Sequence, residues 1–560
     1  FGNNDIIGVK VDRDAGTVAF TINGSAVGNA ENISSMNAPT DLIFRAYRNS
    51  SGGSSPVGSV NFGQRPFSYL PTGYKSLCSA NLPDPTILLP NKHFDTLLWT
   101  GTSASHTLTG LNFQPDWFWG KSRSAAFQHI LYDSVRGTGT SKSLSSNQTN
   151  AEGHNSAHSN LTSFDAPTSG ANGGVTFGAT SSTDVLNYSG GNSVGWFWNA
   201  GDTDGKTYTV KVVSDGGNKY RFDDFGTSAV TLDLAEGGTY IFDGSDSSMA
   251  SHPIKLSETS NGTHGGGSSY NTGVTYLLDG ASVTESAYVS GYASATTRQL
   301  KIVVAASAPT LYYYCHYHSG MGGQANTNST LGSSNFDGNL QSTVKVNATA
   351  GFSIVKWTSG ANVYKTVGHG LGVKPDIVIL KSRTTSHNWY VYTDVIDGTN
   401  EFLELNSTNA AADAESYSIV SPTSSVFGTD GAFLGGNTNI PMVAYVFSSV
   451  SSFSKIGSYV GNSSSDGTFV FTGFRPAWLM IKRTTGADNW MIHDNKRDPD
   501  NLVRNYLFAD TSNAEAADDS CDFLSNGFKW RINSGLRNSS GQTYIYLAFA
   551  EAPFKNARAR

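Results

Sequence analysis

The chain has 560 residues, more than one hydrophobic core supports, and only 14% of them are charged. A formal charge of −7 with no run of Lys or Arg leaves no electrostatic footprint for nucleic acid, and no apolar stretch approaches the length of a membrane-spanning helix. Abundant Gly, Ser, Thr and Asn with 12% aromatics describe strands that face water with hydroxyls and amides and fill their cores with Phe, Tyr and Trp.

In chain order, the first predicted elements are two alternating strands within Asp5 to Ile22 that meet at an Asp/Gly turn. Asn23-Gly24 then supplies the positive φ a tight hairpin needs. A threefold repeat follows. Its copies are Phe113-Gln-Pro115-Asp-Trp-Phe-Trp-Gly-Lys121, Val373-Lys-Pro375-Asp-Ile-Val-Ile-Leu-Lys381 and Phe474-Arg-Pro476-Ala-Trp-Leu-Met-Ile-Lys482. Each Pro opens an apolar run too short for a helix, which reads as a buried strand with Lys at its exit. Each copy then has a strand ending on Asp133, Asp394 or Asp494, and closes on an aromatic strand, Trp196-Phe-Trp198, Tyr445-Val-Phe447 or Tyr544 to Phe549. Between the first two copies lies an unrelated block with the predicted strands Thr207 to Val213 and Thr239 to Phe242, and a short helix is possible around Ser512 to Asp519.

The expectation is an all-β multidomain chain of β-sandwiches: 1–92, repeat 1 at 93–203, an inserted domain at 204–350, repeat 2 at 351–450 and repeat 3 at 451–560. Three copies suit binding or spacing, because copies multiply avidity or length, better than catalysis.

The first segment, with Val60-Asn-Phe62-Gly63-Gln64-Arg-Pro66-Phe67, resembles part of a SPRY domain, a concanavalin-like sandwich used in protein recognition. The strands that precede Asp5 in that family have no counterpart here, so the resemblance implies a partial sandwich completed by preceding sequence or by another chain. Together with Ser134-Val-Arg136-Gly137 and Ser146 to Glu152 in copy one, and Asn526-Gly-Phe-Lys529 and Tyr544 to Phe554 in copy three, the chain resembles virion appendage proteins of tailed bacteriophages, marine ones especially.

One constellation carries chemistry. Leu311-Tyr-Tyr-Tyr-Cys315-His316-Tyr317-His318-Ser-Gly-Met321 follows Ser251-His252-Pro253 well upstream, so a thiolate, two imidazoles and a thioether can converge on a soft metal ion. The order resembles that of the cupredoxins, Greek-key sandwiches with a type 1 copper site. Carried over by position, the ligands are His252, Cys315, His318 and a weak axial Met321, while His316 points away. Pro253 departs from the family, since the residue there commonly donates its N–H to the Cys sulfur. The alternative is a buried Cys315 beside ordinary loop histidines. The other cysteines, Cys78 and Cys521, lie in different regions, and no disulfide framework is expected.

The repeated Lys121/Asp133, Lys381/Asp394 and Lys482/Asp494 read as strand-end ion pairs before they read as polar sites. Trp117, Trp119, Trp389 and Trp490 are candidates for sugar stacking, about half of them expected to face the core. No closely placed carboxylate pair of the glycosidase kind occurs.

The expected function is therefore non-enzymatic: a tail fibre, spike or appendage on the virion surface, forming a homo-oligomer and contacting other virion proteins and a host glycan or protein. The alternatives are a capsid or tail decoration or connector protein, or a secreted cellular adhesin or copper-binding protein.

Overall fold

The computed structural model describes residues 4–12, 14–33, 59–63, 65–76, 78, 81–154, 160–179, 185–201, 205–327, 331–360, 364–417, 419–429 and 439–557. Gln64 of the SPRY-like motif and the expected 203/204 boundary lie outside the described residues. The fold is all-β, with strands in sandwich-like sheets, and it divides into two compact units, Phe1–Asp84 and Pro85–Arg560.

The first unit carries the antiparallel strands Ile7–Asp12, Thr17–Ile22 and Ser25–Asn32. Asn23 and Gly24 have φ of 50° and 86°, the left-handed pair that the turn demands. Val9, Phe20 and Val27 stand opposite one another across the three strands and are 41, 42 and 45% exposed, a row of partly exposed apolar side chains.

In the second unit the three repeats share one arrangement of four strands, a sheet by itself in repeat 1 and part of an eight-stranded sheet in repeats 2 and 3, with the last strand of the four inserted between the first two. In repeat 1 the order is Phe94–Thr100, Asn192–Trp198, Trp117–Ser122, Ile130–Asp133. In repeat 2 it is Phe352–Thr358, Pro441–Phe447, Ile377–Ser382, Tyr390–Thr393, and in repeat 3 Ser454–Val460, Thr543–Pro553, Phe474–Arg483, Met491–Asp494. A second layer covers one face of each sheet.

The other face explains why the apolar runs lack alternation. Trp117 and Trp119 point into a core shared by all three repeats, whereas the intervening Phe118 points into the interior of its own sandwich. Ile377 and Ile379 against Val378 and Leu380, and Trp478 and Met480 against Leu479 and Ile481, divide in the same way. A strand buried on both faces needs apolar residues at every position.

The repeats thus close into a ring. The equivalent residues Trp198, Phe447 and Phe549 meet at its centre, with ring centroids 6.4, 5.7 and 5.7 Å apart. Contacts run front to back around it. Trp389 Nε1 of repeat 2 donates to Ser145 O of repeat 1 at 2.8 Å, and Trp490 Nε1 of repeat 3 donates to Glu404 O of repeat 2 at 2.9 Å. At the third contact His129 Nδ1 accepts from Trp119 Nε1, which leaves Nε2 to donate to Phe508 O of repeat 3 at 2.8 Å. Burial keeps that imidazole neutral by pushing its pKa well below the ordinary value. Backbone bonds repeat the pattern: Glu152 N to Arg383 O, Ala411 N to Thr484 O, and Glu515 N to Arg123 O.

Several expectations change here. The copies are not separate beads, because the second face of each main sheet is covered by the other repeats. Trp117, Trp119, Trp389 and Trp490 are all buried, which removes them as sugar platforms. The Lys–Asp pairs do not form. Antiparallel pairing sets Asp133 opposite Trp117 and Asp494 opposite Trp478, at the far end of the strand from the lysine, and sets Thr393, not Asp394, at the equivalent place in repeat 2. The lysines instead donate to carbonyls: Lys121 to Ser122 O, Lys381 to Thr149 O and His387 O, and Lys482 to Thr408 O and Arg483 O. Burial lowers Lys121 and Lys381 to about 7 and Lys482 to about 8. The stretch expected as a helix enters the strand Ala516–Leu524. Ser342–Asn347, placed by the sequence in the inserted domain, pairs with Phe352–Thr358 and belongs to the sheet of repeat 2.

The inserted domain stacks a six-stranded sheet, which includes Lys206–Ser214, Thr239–Asp243 and Arg298–Val303, on a four-stranded one. The smaller sheet runs Leu232–Asp233, Gly323–Asn326, Leu311–Cys315, Ile254–Ser257, and one aromatic-rich core lies between the layers.

Candidate metal centre

The centre lies at one end of the smaller sheet. Ile254 pairs with Cys315, so His252, two residues before that pair, arrives beside the sulfur. The chain then turns: His316 N donates to Pro253 O at 2.9 Å, which brings His318 back over Cys315. Pro253 gives no N–H to the sulfur but anchors the loop through its carbonyl. Asn261, at φ 62°, clamps the far side, donating to Ser319 Oγ at 2.9 Å and accepting from Gly320 N at 2.8 Å. His264 Nε2 lies 3.1 Å from Cys315 O, and Tyr220 OH donates to His252 O at 2.9 Å.

Both imidazoles present Nδ1 to the sulfur. Cys315 Sγ is 3.7 Å from His252 Nδ1 and 3.5 Å from His318 Nδ1, and the three donor groups have ligand atoms within 4.8 Å of one another. An ion about 2.0 Å from each nitrogen and about 2.3 Å from the sulfur, at tetrahedral to trigonal angles, sets N···S edges of about 3.5–3.7 Å. The residues fit such an ion. Without an ion the same two contacts are those of a hydrogen-bonded chain, S–H donating to one Nδ1 and the other imidazole donating its Nδ1–H to the sulfur. Cys315 and His252 are buried while His318 is exposed, so the cluster opens to solvent on one side. Burial, reinforced by the neighbouring His318, lowers the pKa of His252, which favours the neutral imidazole that ligates metal.

Met321 is 1% exposed and shares the hydrophobic cluster of Cys315 and Ile254; Tyr220 N donates to its carbonyl at 2.9 Å. His316 is not one of the three converging donors. Asn261, His264 and Tyr220 escaped sequence reasoning.

A family model described as a domain of unknown function, DUF7483, matches residues 89–219 and 325–553, more than half of the chain. The chain belongs to the DUF7483 family. The matched segments hold the three repeats, so the DUF7483 domain here contains the ring. The unmatched stretch holds His252, Cys315, His318 and Met321, which makes the candidate centre a feature of the insert. No curated protein and no solved structure matches the chain. Among the described residues, no helix is long and apolar enough to cross a membrane.

Proposed function

We propose that this DUF7483 protein is a non-enzymatic structural component of a tailed-phage virion, a fibre, spike or other appendage that contacts a glycan or protein of the host surface. The observation that carries the reading is the ring itself: three like modules with one common core make a rigid body, suited to bearing and presenting other domains. The SPRY-like first unit and the cupredoxin-like insert are what it presents. In the insert, His252, Cys315 and His318 take copper, with Met321 as a weak axial ligand, since a His₂Cys donor set with a thioether suits that metal. A second reading, a decoration or connector protein, is favoured by the partly exposed apolar row of Val9, Phe20 and Val27, which fits burial against another virion protein.

Immunogold labelling of the particle whose genome encodes the chain tests this. Label on distal appendages, with adsorption of the purified protein to host cells and no release of reducing sugar, is expected. Label confined to the capsid shell or the body of the tail supports the second reading, and absence from purified particles overturns both.

A further inference from the structure

The three contacts of the ring share their backbone bonds but not their charges. At the contact of repeats 1 and 2, Arg383 meets Glu152 through two bonds of 2.7 and 2.9 Å. Glu152 accepts from Arg136 at 3.1 Å, Arg136 meets Asp133 at 2.5 Å, and Asp133 accepts from Tyr445 OH at 2.7 Å. At the contact of repeats 1 and 3 the same relay recurs with other residues. Arg123 meets Glu515 at 2.7 and 2.9 Å, Glu515 accepts from Arg497 at 3.1 Å, Arg497 meets Asp494 at 2.6 Å, and Asp494 accepts from Trp196 Nε1 at 3.0 Å. The equivalent positions at the contact of repeats 2 and 3, set by strand register and by the shared backbone bonds, are Thr484, Ala411, Ile396, Thr393 and Leu547. All five are uncharged.

Connectivity accounts for the distribution. Repeats 2 and 3 are joined by residues 448–453 alone, so the chain itself holds them side by side. The whole inserted domain separates the last strand of repeat 1 from the first of repeat 2, and repeats 3 and 1 have no direct covalent join. The relays stand at the two contacts that the chain leaves loose.

We infer that the relays form a matching code that fixes which repeat closes on which. In the observed order, the Arg383 front meets the Glu152 back, the Arg123 front meets the Glu515 back, and the neutral Thr484 front meets the neutral Ala411 back. In the opposite cyclic order only Arg383 still meets a carboxylate, Glu515. Arg123 faces Ala411, and the Glu152 relay faces Thr484 and Leu547. Mismatched charge taken out of water carries the larger penalty, so the wrong closure is disfavoured more than the right one is stabilised. The same code opposes closure on a second copy of the chain through the wrong repeat.

The test uses the full chain. Lys496 Nζ lies 3.3 Å from Asp95 Oδ1 across the contact of repeats 3 and 1, so a zero-length carbodiimide cross-link between them reports closure there. Isotope-labelled and unlabelled chains are refolded together, and cross-linked peptides are sorted by mass into same-chain and mixed-chain links. The wild type is expected to give the same-chain link. Exchanging the two fronts, Arg123→Thr with Thr484→Arg, makes the opposite order the matched one, and the same-chain link is expected to fall at least tenfold. Adding Thr484→Arg and Ala411→Glu alone places a pair at the tethered contact and leaves the link unchanged. Retention of the wild-type same-chain yield by the exchanged fronts overturns the inference. Should that variant fail to fold, Glu515→Gln decides: it keeps the shape and removes the charge, a several-fold loss of the same-chain link supports the code, and an unchanged yield refutes it.

Discussion

The ring and the inserted domain both bury polar side chains, in opposite arrangements. In the relays of the ring the buried charges are paired: Asp494 with Arg497, Arg497 with Glu515, Glu515 with Arg123. In the insert two nitrogens and a sulfur face one another across 3.5 and 3.7 Å, all electron-pair donors once the thiol is deprotonated, with the spacing of ligands around an ion. Closed pairs satisfy one another, whereas convergent donors offer a cation a candidate site. This difference separates the ring from the candidate metal centre.

The comparison is broken most forcefully at Arg497. Arg497→Ala leaves Asp494 buried and uncompensated, and a loss of about 3–5 kcal/mol is expected in denaturant titrations. Arg504→Ala, at an exposed pair with Asp519, should cost about 0–1 kcal/mol, and equal losses would deny the ring pairs their special standing. In the insert, Cu(II) should colour the protein and raise its melting temperature. At a free metal concentration near 100 times Kd the gain is about 2.7 kcal/mol. Cys315→Ser should abolish both effects, and a Cys315→Ser protein as coloured as wild type would remove the sulfur from the site.

Acid should act on the ring through Glu152. Burial alone raises its pKa, but Arg383 and Arg136 outweigh that and hold it below the ordinary 4.5. A carboxyl lowered on folding contributes stability that is complete above its unfolded pKa and lost as pH falls through the folded one. Glu152→Gln should therefore flatten the stability profile below about pH 4.5, the ordinary carboxyl value. An unchanged acid limb would place the sensitivity elsewhere. The smallest effect is expected from Met321→Leu, a volume-conserving change in the core of the insert that costs under about 1.5 kcal/mol and shifts the colour of the copper form without removing it.

The repeat, the all-β class and the pairing of Cys315 with His318 were legible because each is written in local spacing, Pro to Lys along a strand and Cys-x-x-His around a turn, whereas His252, 63 residues before Cys315, was placed only by the cupredoxin resemblance. The ring was not, since nothing local tells whether the second face of a strand such as Trp117–Ser122 is covered by its own domain or by another copy. Its trace was the missing alternation in all three runs at once. The relays were half visible, as Arg three places after Asp in repeats 1 and 3 and Ile396 in repeat 2, but their partners Glu152 and Glu515 come from loops whose docking only the closed ring defines. The Lys–Asp pairing failed because antiparallel register, which sequence spacing does not carry, sends the two ends of a hairpin apart.

The closure of three repeats on one core is the central claim, and hydrogen exchange in a Trp198→Ala variant tests it most directly. Trp198 lies in repeat 1 but touches Phe447, Trp478 and Phe549. Its loss should speed exchange in the central strands of all three repeats, Trp117–Ser122, Ile377–Ser382 and Phe474–Arg483 alike. Faster exchange confined to repeat 1, with the strands of repeats 2 and 3 as protected as in the wild type, would contradict a shared core.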